Sequence, residues 1–308
     1  MDPRRFAPRQ PALAVAGGLA RVQRAFGETL RARVAGNDAA ERARGIWGKP
    51  GERWFTPDDP IWRVHEDASM FVGGIAALLL QSLQPAAMAG VAGHSGYRSD
   101  PWGRLQRTAD HIAITTYATI PDAEAQIAKV RAVHDRVRGK DHRGRPYRAA
   151  DPHLLTWVHV AEIESFLTAH QEYGARPLTP GEADTYVAQT GVPASLLGVL
   201  DPPRTVRELR ATLDAYRPEL ELTDAARDAA RFLLIEPPLP VLARPGYATL
   251  AAGAIAILPD WARDLLDLPL DRLAEIIGRP LGRFGAGAVR WGLAGVGEPR
   301  RSAPPPVA

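Results

Sequence analysis

The sequence predicts an all-α protein, a single large helical domain of roughly ten helices. Three observations carry that reading. No strand-like alternation of useful length occurs anywhere in the 308 residues. Apolar residues instead recur at helical spacing in one stretch after another. Many of these stretches open on helix-start chemistry, a capping residue followed by proline or by an acidic residue three positions on. The expected organisation is an N-terminal arm and helix over 1–54, the helical domain over 55–295, and a disordered proline-rich tail over 296–308.

Taken in order, residues 21–45 read as an arginine-rich surface helix, and Gly48 to Pro60 as a loop. Ile61 to Leu83 reads as one strong helix with the stripe Val64, Ala68, Phe71, Val72, Ile75, Leu78 and Leu79. Gly73-Gly74 in its middle costs about 1 kcal/mol per glycine relative to alanine. The return is close approach of another helix or of a flat ligand. Pro85 to Gly96 is a short, small-residued helix. The helix starting at Ser99 to Pro101 puts Arg104, Thr108, His111, Ile112 and Thr115 on one face.

The next helix opens at Pro121, carries Asp122 and Glu124 at its positive end, and is expected to stop at Gly139. Its inward stripe is Ala123, Ile127, Val130, His134 and Val137. The arginine-rich loop Gly139 to Arg148 either greets an anion or is solvated. Asp151-Pro152 starts a helix that runs to Gly174, with Leu155, His159, Glu162 and Phe166 on one face. Thr179 with Glu182, and Thr205 with Glu208, form capping-box patterns. An amphipathic helix follows over Asp224 to Ile235, and two or three more occupy Ala248 to Leu293.

Composition narrows the function. With 38 Lys and Arg against 35 Asp and Glu, the net charge of +3 leaves no nucleic-acid footprint. The absence of cysteine excludes disulfides, iron–sulfur clusters, thiolate-ligated or covalently attached haem, and cysteine nucleophiles. No apolar run reaches the roughly 18 residues of a membrane span. Arg4-Arg5-Phe6 ahead of Pro11 to Ala20 has the outline of a twin-arginine export signal. The apolar part is short, holds two glycines and runs into a charged helix, so a cytoplasmic protein with an N-terminal arm is the expectation.

The residues alone leave His134 with two readings. An imidazole in an apolar seam needs a partner, since an unpaired buried polar group is costly. It is either a core histidine bonded to a neighbour or a metal ligand. Phosphate loops, dinucleotide glycine fingerprints, nucleophile elbows and HExxH zinc motifs are absent. A carboxylate di-iron bundle needs two Glu-x-x-His pairs, and only the reversed His159-x-x-Glu162 occurs.

Arg104-x-x-Arg107-Thr108, followed on the next helix by His134, resembles the core signature of the MpaB-like oxygenases, the family that includes the bacterial latex-clearing protein, a rubber oxygenase. Arg63-x-His65-Glu66, Gly73-Gly74, the small-residue turn from Pro85 to Ser95 and Asp151-Pro152-x-Leu154-x-x-Trp157-Val158-His159 agree with it in order and spacing. The resemblance spans about residues 55 to 240.

It implies an all-α fold and one non-covalent b-type haem, with iron as the metal. It implies His134 as the proximal iron ligand, with Arg104 and Thr108 in the distal or near-haem environment. The latex-clearing branch has lysine where this chain has Arg107, and that lysine can take the sixth iron position. Arginine stays protonated and does not readily ligate a metal, so a capped resting state of that kind is not expected here.

The resulting expectation is a haem-b-dependent oxygenase using dioxygen on an apolar small molecule, by oxidative cleavage or hydroxylation, with no nucleic-acid partner and no membrane span. Among the eight histidines, His65, His94, His111, His153 and His159 compete with His134 for iron. The second ring nitrogen of His134 is expected to donate to a carboxylate or carbonyl. Two alternatives stand beside this reading. One is a non-catalytic helical protein binding an apolar ligand or partner. The other is a non-haem metal enzyme using His65, Glu66, His159 and Glu162.

Overall fold

The computed structural model describes residues 10–36, 39–268 and 274–296. The Arg4-Arg5-Phe6 motif and the proline-rich tail beyond residue 296 lie outside them. The described residues form fourteen α-helices, more than the sequence suggested, and one two-stranded ladder. The first half contains α1 (Gln10–Ala35), α2 (Ala39–Trp47), α3 (Pro60–Glu66), α4 (Met70–Gln81), α5 (Pro85–His94), α6 (Pro101–Tyr117) and α7 (Ile120–His134). After β1 (Arg138–Lys140) and β2 (Pro146–Arg148) come α8 (Pro152–Tyr173), α9 (Pro180–Leu197), α10 (Val206–Ala215) and α11 (Asp224–Leu234). The last are α12 (Arg244–Ile257), α13 (Asp260–Leu265) and α14 (Arg279–Ala294).

The core is built on α4 against α8. Trp157, Val160, Ala161, Phe166 and Ala169 of α8 and Val72, Ala76, Leu79 and Leu80 of α4 are buried. Gly73 lets the two backbones meet: a Cβ there would lie 3.0 Å from the Phe166 ring and 3.2 Å from its Cα. The helix-packing explanation of Gly73 therefore holds. Gly74 is different, since nothing lies within 4 Å of where its Cβ would be.

Ile61 to Leu83 is not one helix. It breaks at Asp67, whose backbone is extended and whose carboxylate accepts the Ser69 amide at 2.7 Å. The same carboxylate accepts the Ala175 amide at 3.1 Å and pairs with Arg290 at 2.9 Å. Tertiary bonds to one aspartate outweigh the continuous apolar pattern. Similarly, α1 ends at Gly36, which adopts a left-handed φ of 72°, so the expected helix over 21–45 divides in two.

Helix α7 closes at His134 rather than running on to Gly139. Val137 is past its end, and its carbonyl accepts the Ala149 amide at 2.9 Å. Gly139 sits in β1 opposite Tyr147. The hairpin turn is organised by Asp141, which accepts the amides of Arg143 and Arg145, each at 2.9 Å.

Helix α8 forms as the sequence indicates, from the Asp151 cap to Gly174. Thr179 and Glu182 make a full capping box. Thr205 caps the Glu208 amide, but the Glu208 carboxylate turns to the Arg204 amide instead.

The C-terminal pair α12 and α14 crosses at bare backbone. A Cβ on Gly253 would lie 2.5 Å from the Gly282 Cα. Gly253→Ala therefore has to push the helices apart, and a loss of about 1–3 kcal/mol is expected in a denaturant titration. An unchanged midpoint would show that the crossing yields freely.

Candidate functional site

Helices α6 and α7 form a hairpin. Asp100 caps α6 by accepting the Gly103 amide at 2.9 Å, Pro101 occupies the first turn, and Thr119 with Pro121 starts α7. Helix α6 packs on α1, α2 and α3, and α7 packs on α9. Neither forms an extended packing face with α4 or α8.

Helices α4 and α8 each carry a partly accessible face. On α4, Phe71, Gly74, Leu78 and Gln81 line up at helical spacing and are only half-buried, while their neighbours are sealed. On α8, Val158, His159 and Glu162 are half-buried between the buried Trp157, Val160, Ala161 and Ile163. Burial lowers the His159 imidazole to about 4 and raises the Glu162 carboxyl to about 7. Both side chains thus sit deep in the protein yet keep accessible surface.

Three imidazoles, on α6, α7 and α8, each have one unsatisfied nitrogen. The Nδ1 atoms of His111 and His134 and the Nε2 of His159 are sealed from solvent and have no hydrogen-bond partner. Burial, followed by the influence of His134, lowers His111 to about 4. Burial lowers His134 as well, against a smaller opposing effect of Asp135. Both rings are therefore held neutral, the form that ligates metals.

Arg104 is half-buried and makes no ion pair or hydrogen bond through its guanidinium among the described residues. Burial, then the charge of Arg107, pulls its pKa down. A desolvated cation with no counter-charge is costly.

The other sequence-predicted residues are placed differently. Arg107 is 64% exposed and pairs with Asp100 at 3.2 Å. Thr108 is exposed, and its hydroxyl donates to the Arg104 carbonyl at 3.1 Å. The structure thus keeps Arg104 and His111 on one face of α6, places His134 within electrostatic reach of His111, and turns Arg107 and Thr108 toward solvent. The expected carbonyl or carboxylate partner for the second nitrogen of His134 is not found among the described residues.

Of the competing histidines, His65 and His153 already have partners, as does His170. His65 bonds to the Thr116 hydroxyl at 2.8 Å and the Tyr186 hydroxyl at 3.3 Å, and its ring lies edge-on to Phe166. His153 pairs with Glu219, and His170 bonds to the Arg176 carbonyl. His94 is exposed. Among the described residues, no group of three or more His, Asp or Glu could hold a metal ion. His65, Glu66, His159 and Glu162 therefore do not form one ligand set, and Glu66 is exposed.

The arginine-rich loop is likewise occupied, with Arg143 and His142 on Glu221 and Arg145 on Asp141. A pocket of about 230 Å³ lies elsewhere, lined by Thr168, Glu172, Arg263 and Arg279. Its cations are paired with Asp260 and Glu172.

The sequence did not show the open space beside Gly74, because the same glycine pair serves helix packing at Gly73. It did not reveal Tyr186 as the partner of His65, since that contact joins residues 121 positions apart.

Among the described residues, no single helix is long and apolar enough to cross a membrane. Helices α4 and α5 pass that test only as a pair bent by 109°. Residues 62–291 match the sequence model of a family described as ER-bound oxygenase mpaB/B′/rubber oxygenase, catalytic domain. No curated protein and no solved structure matches the chain.

Proposed function

This chain belongs to the mpaB and rubber oxygenase family and carries its catalytic domain, and from that premise we propose that it is a haem-b-dependent oxygenase acting with dioxygen on an apolar organic substrate. The observation that carries the reading is the set of unmet groups on the α6–α7 hairpin. His134 offers a neutral imidazole with no protein partner. Arg104 offers an unpaired, half-buried cation. These are the two polar requirements of a porphyrin carrying iron and propionates. The open space at Gly74 suits a flat apolar face.

In this reading His134 holds the iron and Arg104 neutralises a carboxylate or donates a hydrogen bond on the distal side. A bound haem supplies dioxygen binding and one-electron chemistry. The chain supplies the rest. Phe71, Leu78, Val158 and Ile112 offer an apolar lining that excludes water and accepts a hydrocarbon. Glu162, with its carboxyl raised to about 7 by burial, holds or releases a proton near neutral pH. Oxidative cleavage of a carbon–carbon double bond and hydroxylation both fit this set.

The test is a titration of the purified full chain with haemin. A saturable Soret band at one equivalent is the expected result. Absorbance that stays that of free haemin, with no saturation, overturns the proposal in favour of an apolar-ligand binder. Gly74→Ala gives a second readout. Without ligand it should gain up to about 1 kcal/mol from helix propensity. With haemin it should bind more weakly, because the added methyl occupies the open face. Unchanged haemin affinity would remove Gly74 from the site.

A further inference from the structure

Two imidazoles on the α6–α7 hairpin share an unusual state. In both His111 and His134 the Nδ1 is sealed without a partner, while Nε2 has no hydrogen bond and is not among the sealed atoms. The outer nitrogen of each ring therefore opens onto accessible space. The rings are close enough for His134 to act electrostatically on His111. They stand on adjacent packed helices, α6 and α7. His111 lies on the same α6 face as the unpaired Arg104, two helical turns further on.

Other candidates for the position opposite His134 are weaker. Arg107 is held by Asp100 at the surface. Thr108 is exposed and bonds to its own helix. His159 has its Nε2 sealed, leaving only the nitrogen nearer the backbone. Two imidazoles without a third His, Asp or Glu do not make a site for a bare metal ion. They do suffice for an iron whose four equatorial positions are filled by a tetrapyrrole.

We propose that His111 is a second axial ligand, so that the resting site holds its haem iron between two imidazoles, His134 and His111. This rests on the haem reading above and extends it to the coordination state. It also assigns His111 a gating role. His111 would thereby occupy the position that dioxygen needs.

The experiment is haemin reconstitution of the full chain, read by optical and electron paramagnetic resonance spectra in the ferric state. Wild type should be low-spin with the signature of two imidazoles. His111→Leu and His111→Gln should keep haem and convert to high-spin, with circular dichroism confirming the fold. Added free imidazole should restore the low-spin spectrum in both. A high-spin wild type, or low-spin spectra unchanged in both variants, overturns the proposal and leaves the haem reading intact. Failure of wild type to form any Soret band overturns both together.

Discussion

His134→Ala should give a folded protein that no longer retains haem. The magnitude follows from the coordination chemistry. Changes in outer-shell partners of a metal ligand typically cost about 10–100-fold in affinity, and losing the ligand itself should cost more. The histidine stands at the last residue of α7, half-buried, with Asp135 as the C-cap behind it. Removing its ring leaves α7 intact, because Ala123 and Ile127 supply the buried face of that helix. The variant should therefore unfold at a similar denaturant concentration and recover part of its haem when free imidazole is added.

Arg104→Ala makes the contrast. It should slow oxygen chemistry more than it weakens haem retention, if the proposed role of Arg104 on the distal side is its main one. Full haem content with an unchanged spectrum in His134→Ala would falsify the assignment of the ligand. Equal haem loss in the two variants would show that the roles are wrongly divided.

The haem-free protein should also lose stability sharply on acidification. Burial holds His65 at about 3 and His111 and His159 at about 4, all below the ordinary 6.5. In the unfolded chain these rings take up protons near 6.5, and in the folded protein they do not. Their contribution is present above that value and is lost as pH falls toward about 4, with a slope of roughly 1.4 kcal/mol per pH unit per ring.

Glu162 works in the opposite sense. Its raised value means that its contribution is complete below 4.5 and is lost as pH rises through about 7. Between about 6.5 and 4.5 three rings oppose one carboxyl, so the net direction is loss of stability with acid. Urea titrations at pH 7 and pH 5 should show a lower midpoint at pH 5. His65→Gln should flatten the dependence, because the most strongly shifted ring is gone. A midpoint that rises on acidification would mean that Glu162 outweighs the histidines.

Much of this architecture is legible in the chain because its signals are local. Helix α8 can be read from Asp151, Pro152 and Gly174, each acting within its own turn. The box at Thr179 and the apolar stripe of α4 are of the same kind. The break between α3 and α4 is not legible, since Asp67 takes its decisive partners from residues 108 and 223 positions away. The site divides along the same line. Arg104 and His134 stand out by type and spacing, but the exposure of Arg107 and Thr108 depends on how the hairpin rotates against α1, α3 and α9. His111 shares the Arg104 face in the sequence, yet its proximity to His134 depends on how α6 and α7 pack against each other.

The Asp67 corner also bears on the order in which the chain assembles. Arg290 reaches both the Asp67 carboxylate and the Tyr173 carbonyl, each at 2.9 Å. Closing a loop that long is entropically expensive, so this contact belongs among the late events of folding. During synthesis the turn that separates α3 from α4 remains without its Arg290 counter-charge until the chain has emerged past that residue. A chain cut before Arg279 should show faster amide exchange at Ser69 and Ala175, both bonded to Asp67. Equal protection in the cut and full chains would mean that the corner is self-sufficient and forms early.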